Sequence, residues 1–172
     1  MRIVTDSTSD LPRNVVDALN VMIVPLHVYF GADEYEDGVT IGGDDFYRRL
    51  TSSVQSPPRT AAPSAGTFEA IYEQLADDSD GIVSIHISPR LSGTYAAAVA
   101  GSSRLQSRCK IEVSDSGSTC LGLGLLVIQA AMMARDGASA NEITLETRDA
   151  VGRTRFFGAV GTLEYLRRGG RI

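Results

Sequence analysis

Short apolar runs alternate along this chain with segments of helical periodicity, and this alternation constrains the fold most. The clearest runs are Arg2–Thr5, Ile82–Ile87 and Lys110–Ser114, and each is followed by a polar turn. Because a helix is the usual connection between parallel neighbouring strands, the alternation predicts a parallel sheet. We therefore expect an α/β fold, in which a mostly parallel sheet is flanked by helices on both faces.

Turn and capping residues predict the bounds of the remaining elements. Asp10 is expected to cap a helix that ends near Asn20, since Asp is a preferred N-cap residue. The strand-like run Val21–Phe30 is followed by Gly31 and a second polar run, which predicts a hairpin. The other expected elements are a helix from Asp44 or Asp45 to Leu50, a proline-containing loop over Ser52–Gly66, helices capped by Thr67 and Asn141, an apolar helix buried on most sides over Gly122–Arg135, and a last strand over Phe156–Val160.

The bulk composition suits one folded domain and disfavours several classes of protein. The chain has 172 residues, of which 43% are hydrophobic, and its net charge of −5 argues weakly against nucleic acid as the main partner. The two cysteines and two histidines show no zinc-binding spacing. The apolar run Leu121–Ala134 is shorter than the roughly 20 residues of a membrane span. Because Met1 leads straight into a strand-like run, we expect no signal peptide and a reducing cytoplasm.

Polar turns rich in hydroxyl groups come directly after the expected strands. They are Asp6–Ser9, Ser88–Thr94 and Asp115–Thr119. Ligands of open α/β sheets bind beyond the carboxyl ends of the strands, so we expect these turns to gather at one edge. The proline-containing loop, which carries Thr60, is placed to close over that edge. With many hydroxyls and no evident metal-ligand set, the edge is suited to holding a small anion without transforming it.

Ser92 and Thr94 flank a glycine at the start of a small-residue helix, and this segment has two further interpretations. Ser92 is a good helix cap, and Gly93 permits a tight turn. Alternatively, Ser92 is the nucleophile of a hydrolase or transferase, with His86 as its base. His86 lies mid-strand, where a hydrogen-bonded structural histidine is the simpler interpretation. The absence of a G-x-S-x-G motif makes hydrolysis a weak hypothesis.

A phosphate- or nucleotide-binding regulator is another open alternative. Gly122-Leu123-Gly124 has the spacing of a short phosphate-binding motif, but it lacks the later glycine and the ribose-binding acid. In such a regulator, arginines near the end of the chain would bind the phosphate. Asp6 and Asp115 are possible metal ligands, although turn capping explains both more simply.

Several short motifs, taken in order, carry a family resemblance. They are Val4–Pro12, Val24–Leu26, Thr60–Phe68, Ile87–Tyr95, Asp115–Ser116 and Thr162–Ile172. They are spread over nearly the whole chain, and their number and order make the pattern specific. The chain thereby resembles the DegV family of fatty-acid-binding proteins.

This resemblance implies a cytoplasmic bacterial protein that holds one long-chain fatty acid, needs no other cofactor and is not itself an enzyme. In the family the acyl tail lies in a tunnel between two domains. The carboxylate is bound by hydroxyls that fall here on Thr60 and Ser92, with further contacts at Gly93 and Thr94. Pro89 stands where a serine is common in the family, which stiffens the turn but leaves Ser92 in place.

The resemblance also implies a partner and a domain division. Some members present the fatty acid to the catalytic subunit of a fatty acid kinase, which forms acyl-phosphate for phospholipid synthesis. Arg171, together with Arg167 and Arg168, matches an arginine thought to assist contact with the phosphate or the partner. Residues 1–166 would then form the amino-terminal α/β domain, and residues 167–172 would begin the connection to a second domain.

Overall fold

The described residues group into two compact units. The structure is a computed structural model that describes residues 1–52, 57–105 and 107–172. The parallel-sheet unit comprises Met1–Val24 and Ala62–Phe156, and the antiparallel unit comprises Pro25–Ala61 and Phe157–Ile172. In chain order the elements are β1 (Arg2–Asp6), a 3-10 turn (Ser7–Ser9), α1 (Arg13–Leu19), β2 (Val21–Val24), β3 (His27–Phe30), β4 (Asp33–Glu36), α2 (Gly43–Ser52), β5 (Arg59–Ala61), α3 (Ala65–Ala76), β6 (Ile82–His86), α4 (Thr94–Ser102), β7 (Ile111–Asp115), α5 (Cys120–Arg135), α6 (Ala140–Arg153) and α7 (Glu164–Arg168).

The first unit is built on a parallel sheet with the strand order β2-β1-β6-β7. Side chains alternate between its two faces. Ile3 and Val83 pack into a core with α1, α5 and α6, whereas Val4 and Ile82 pack into a second core with α3 and α4. Strands buried on both faces need apolar residues at nearly every position, which explains the continuous runs in the sequence. The expected α/β fold with helices on both faces is confirmed.

Glycines allow two helices to lie very close to their neighbours in this unit. A Cβ atom at Gly101 of α4 would lie 2.7 Å from the carbonyl oxygen of Ala65 in α3. A Cβ atom at Gly124 of α5 would lie 2.6 Å from the carbonyl oxygen of Ser9. These distances are far below van der Waals contact, so close packing against backbone requires glycine at these two positions.

The antiparallel unit contains a short sheet with the strand order β4-β3-β5. The expected hairpin joins β3 to β4, and Gly31 supplies the positive φ of 64° that its turn requires. The ring of Phe30 packs edge-on against Tyr35 and Phe46, which ties α2 to the hairpin. Part of the expected proline-containing loop forms β5 instead, because its backbone pairs with β3. Residues 53–56 of that loop lie outside the described residues.

The residues expected to cap α1 and α3 do not cap these helices. Asp10 has a φ of 51° and ends the 3-10 turn, while α1 begins after Pro12. Ser64 caps α3, because its Oγ accepts the N–H of Thr67 at 3.0 Å. Asp, Ser and Thr are all good capping residues, so preference alone does not select among neighbours in the sequence.

The expected cap of α6 is wrong for the same reason. Ser139 caps this helix through a capping box, in which the Glu142 carboxylate accepts the Ser139 N–H at 2.8 Å. Asn141 lies within the first turn, and its side chain accepts a hydrogen bond from Lys110 instead. The Ser-x-x-Glu spacing was the sequence signal for the correct cap.

One expectation about the carboxyl-terminal half is also wrong. Residues 156–160 do not form a strand, since no strand of the described residues pairs with them and the Phe157 side chain is 89% exposed. Apolar content alone therefore predicted a strand where none forms. Helix α5 is buried on most sides, as expected, and its exposed stripe carries Leu121, Leu125 and Met132.

Candidate functional site

The polar turns of the parallel-sheet unit are joined by hydrogen bonds at the carboxyl ends of its strands. The Asp6 carboxylate, at the end of β1, accepts the backbone N–H of Ile87 at 3.0 Å. The N–H of Ser88 donates to the carbonyl of Ser118 at 2.9 Å. The turns after β1, β6 and β7 thus form one continuous edge, as the sequence predicted.

The turn after β6 places two hydroxyl groups side by side. The N–H groups of Leu91 and Ser92 both donate to the Ser88 carbonyl, at 2.9 and 3.2 Å, which closes the turn. The oxygens Ser92 Oγ and Thr94 Oγ1 are 2.9 Å apart, and the Thr94 N–H donates to Ser92 Oγ at 3.3 Å. Thr94 is buried, Ser92 is half-buried and Gly93 is exposed. Because one proton is shared between the two hydroxyls, the other is left to donate to a ligand.

Helix α4 starts directly behind these hydroxyls with free backbone donors. Gly93 precedes the helix and offers no side-chain cap. Within the described part of the parallel-sheet unit, no acceptor lies in reach of the N–H groups of Tyr95 and Ala96. Unpaired N–H groups and the helix dipole favour an anion at such a position. The segment thus combines neutral hydroxyl and amide donors, which suit the binding of a carboxylate.

Thr60 lies in the other compact unit. It is exposed on β5, where it pairs with Val28 of β3. The structure brings Ser92, Gly93 and Thr94 together on one turn of the parallel-sheet unit. A joint role of Thr60 and Ser92 in binding one carboxylate stays a prediction.

The three arginines singled out by the sequence lie at the end of the antiparallel unit. Arg167 and Arg168 are exposed in the last turn of α7, and Arg168 pairs with Glu164 at 2.6 Å. Arg171 is also exposed, and its guanidinium donates to the carbonyl of Gly169. Their contact with a phosphate or a partner stays a prediction.

His86 is a buried structural histidine, as the simpler interpretation of the sequence held. Its Nδ1 lies 2.9 Å from the Asp6 carboxylate and its Nε2 lies 2.7 Å from Ser84 Oγ. The side chains of His86 and Asp6 are both 0% exposed. With both ring nitrogens engaged, His86 has none left to activate Ser92, which removes the base that a serine hydrolase would need.

Asp6 holds its charge in this buried position. Burial by itself raises the pKa of Asp6, but hydrogen bonds and charge interaction with His86, and hydrogen bonds from Thr8 and Ile87, more than offset it. The pKa of this carboxyl therefore lies below its ordinary value.

The buried polar chain extends to residues that the sequence analysis missed. The hydroxyl of Tyr72 on α3 donates to Ser84 Oγ at 2.8 Å, and burial raises the pKa of Tyr72. Strand alternation was the available signal, since Ser84 and His86 point to the same face of β6.

Two other motifs serve local structure. The Asp115 carboxylate accepts the N–H of Gly117 at 2.7 Å, as turn capping predicted. Gly122 and Gly124 lie on α5 against Ser118 and Ser9, so the G-x-G spacing serves close packing. Among the described residues, no three side chains of the metal-ligating types come together as a metal site.

Comparisons with known proteins identify the family. A family model described as the DegV family of uncharacterised proteins matches residues 1–172. A DegV domain-containing protein of Caldanaerobacter subterraneus is 36% identical over 170 residues, an alignment that covers 99% of this chain and 60% of that protein. The chain belongs to the DegV family.

Solved structures of DegV family proteins share the fold. A fatty-acid-binding DegV family protein from Thermus thermophilus is 33% identical, with a TM-score of 0.87 over 99% of this chain and 60% of that one. A stearic-acid-binding protein from Eubacterium ventriosum is 30% identical, with a TM-score of 0.84 and the same coverage. This DegV family chain spans about 60% of the length of the relatives it matches.

Of the helices in the described ranges, none is both long and apolar enough to cross a membrane. The apolar helix α5 is 16 residues long, and Gln129 within it pairs with Glu146 of α6.

Proposed function

We propose that this protein binds a long-chain fatty acid, with the carboxylate held at the turn Ser92-Gly93-Thr94. The observation that carries the proposal is the pair of hydroxyls 2.9 Å apart in front of the free N–H groups of α4. These donors are neutral, and both ring nitrogens of the buried His86 are engaged by Ser84 and Asp6, so the site holds an acid without a means to convert it. Fatty acid binding by the related Thermus and Eubacterium proteins supports the same ligand class.

The acyl tail and the carboxylate headgroup of the ligand contribute unequally to the binding free energy. Burying a tail of roughly sixteen carbons contributes about 11 kcal/mol before association costs, at about 0.8 kcal/mol per methylene. A hydrogen bond to a carboxylate contributes about 1.5–3 kcal/mol. The tail therefore dominates affinity, and Ser92 orients the headgroup. We propose Thr60 as a second hydroxyl donor to the same carboxylate.

The biological setting we propose is presentation of the fatty acid in the cytoplasm to the catalytic subunit of a fatty acid kinase, which forms acyl-phosphate. The protein is then a binding subunit and not itself an enzyme. Exposed Arg167, Arg168 and Arg171 supply cations for the partner or for phosphate. Cys109 and Cys120 are free thiols, which fits a reducing compartment.

The Ser92→Ala variant tests the binding site. It removes the hydroxyl of the less buried residue of the pair, so we expect the affinity for oleate to fall about 10- to 100-fold, the equivalent of one charged hydrogen bond. The measurement is an isothermal calorimetric titration of the purified protein with oleate.

Ser103→Ala is the matched control, because this exposed serine lies at the far end of α4 and its Oγ donates only to the carbonyl of Val99. An unchanged oleate affinity in Ser92→Ala, or an equal loss in both variants, would remove Ser92 from the site. A wild-type protein that takes up no oleate would reject the proposed function.

A further inference from the structure

The Asp6 carboxylate joins the end of β1 to the segment that leads into the Ser92 turn. Its Oδ1 accepts the N–H and the hydroxyl of Thr8, at 3.1 and 2.5 Å. Its Oδ2 accepts the N–H of Ile87 at 3.0 Å and faces Nδ1 of His86 at 2.9 Å. An ionised carboxylate has about four lone-pair sites, so this group is saturated with donors.

The bond to Ile87 bears directly on the turn. Ile87 is followed by Ser88, whose carbonyl accepts the N–H groups of Leu91 and Ser92. The backbone that carries that carbonyl is held by two bonds, from the Ile87 N–H to Asp6 and from the Ser88 N–H to the Ser118 carbonyl. A short path of covalent and hydrogen bonds therefore runs from Asp6 to the Ser92 backbone.

The other end of the polar chain reaches α3. The ionised Asp6 only accepts, so His86 donates from Nδ1. Tyr72 donates to Ser84 Oγ, which lies 2.7 Å from Nε2 of His86. The Phe68 ring packs edge-on against the imidazole at a centroid distance of 5.0 Å, which fixes the ring. The chain from α3 thus ends on β1 with Asp6 as its acceptor.

We propose that Asp6 is a positioning residue for the carboxylate-binding turn: through the Ile87 N–H it holds Ser92 and the α4 amino terminus in the geometry that receives a fatty acid headgroup. The inference rests on the proposed function. It differs from a purely structural role, because it requires the effects of Asp6 and Ser92 on ligand binding to be coupled.

Asp6→Asn keeps the shape of the side chain but turns one of its oxygens into a donor. In either orientation of the amide, its NH2 group faces a backbone N–H, of Thr8 or of Ile87. The bond to Ile87 is lost when the NH2 group faces Ile87, and it weakens from a charge-assisted to a neutral hydrogen bond when the NH2 group faces Thr8. In both cases the turn is expected to loosen while the sheet stays folded.

A double-mutant cycle tests this coupling. Oleate affinity is measured for the wild type, Asp6→Asn, Ser92→Ala and the double variant, with folding checked by thermal unfolding. We expect Asp6→Asn to weaken oleate binding about 10-fold when Ser92 is present and less than about 2-fold in the Ser92→Ala background, since coupled residues are non-additive. The 13C signal of [1-13C]oleate should also move in Asp6→Asn, because it reports hydrogen bonding of the bound carboxylate.

Ile143→Val is the control for stability loss alone. Ile143 is fully buried in the core on the other face of the sheet, and its truncation is expected to leave oleate affinity and the 13C signal unchanged. Equal effects of Asp6→Asn in the two backgrounds would overturn the positioning role, while the loss in Ser92→Ala would still support the proposed function. No loss in Ser92→Ala alone would remove Ser92 from the site and with it the positioning role, whereas a wild-type protein that takes up no oleate would reject the proposed function.

A backbone substitution covers the case in which Asp6→Asn does not fold. Replacing Ile87 by its α-hydroxy analogue turns the amide into an ester and removes only the N–H that Asp6 accepts. The same coupling with Ser92→Ala is expected. Additive losses of oleate affinity in this second cycle would overturn the proposal.

Discussion

At the scale of single residues, the residue proposed to bind the ligand differs from the nearby residue that stabilises the fold. Ser92 is half-buried and shares one proton with Thr94, so the pair keeps one proton for a ligand, whereas His86 is fully buried and engages both ring nitrogens. The two residues are only six positions apart in the sequence, but the difference in their solvent exposure indicates different roles. A serine and a histidine near each other in sequence therefore do not make a nucleophile and base here.

The ionised state of Asp6 predicts a pH dependence of stability. Because the folded-state pKa of Asp6 lies below its unfolded value, this carboxyl stabilises the fold above about pH 4, and the contribution is lost as the pH falls through the folded-state pKa. Asp6→Asn should therefore lose less free energy of unfolding than the wild type on acidification from pH 6 to pH 2.5.

Chemical denaturation at a series of pH values measures this difference. Asp17→Asn is the control, because Asp17 is an exposed carboxylate paired only with Arg13 on the surface. Parallel curves for wild type and Asp6→Asn would show that folding does not lower the pKa of Asp6, and a smaller loss in the wild type than in Asp6→Asn would show that folding raises it.

At the scale of elements, alternation of apolar runs predicted the strands of the parallel sheet, because each strand is buried on both faces and carries its own signal. The caps at Thr67 and Asn141 were mispredicted because Ser64 and Ser139, which form the actual caps, have a similar intrinsic preference. Asp10 was mispredicted because α1 begins after Pro12 without a side-chain cap. The strand β5 was missed because it lies among prolines and is formed by pairing with β3. The Asp6–His86 contact joins residues 80 positions apart, so no local pattern could reveal it.

The cap of α6 gives a test at this scale. Ser139→Ala breaks a capping box in which both partners are present, so we expect a loss of about 1 kcal/mol in the free energy of unfolding. Asn141→Ala, at the position that the sequence suggested, removes one exposed contact with Lys110 and should cost less than about 0.5 kcal/mol. Urea denaturation of the two variants measures both values. A larger loss of unfolding free energy in Asn141→Ala than in Ser139→Ala would show that Asn141 is the cap.

At the scale of the whole molecule, buried residues and candidate contact residues are distributed unequally. Both core clusters are built from residues of the parallel-sheet unit. In the described part of the antiparallel unit, the buried apolar side chains are Leu26, Val28 and Ile41. That unit nevertheless holds Thr60 and the three exposed arginines. Segments with few buried contacts open at low free energy, and binding regions are commonly drawn from them.

A substitution of Arg171 tests the proposed contact with the kinase catalytic subunit separately from fatty acid binding. Arg168 already pairs with Glu164, whereas the Arg171 guanidinium donates to a backbone carbonyl and keeps its charge available. An exposed ion pair contributes up to about 1 kcal/mol, or about a 5-fold change in an equilibrium constant. We therefore expect Arg171→Ala to weaken acyl-phosphate formation by a fatty acid kinase catalytic subunit about 5-fold at subsaturating protein, and to leave oleate affinity unchanged.

The assay supplies ATP, oleate and the catalytic subunit, and varies the concentration of this protein. The defect should shrink as salt is added, because screening weakens the wild-type contact as well. Arg13→Ala is the matched control, since Arg13 is an exposed arginine on α1 of the other unit and pairs with Asp17. Equal acyl-phosphate formation by the Arg171 and Arg13 variants would remove Arg171 from the contact. A loss of oleate affinity in Arg171→Ala would instead place its charge at the fatty acid headgroup.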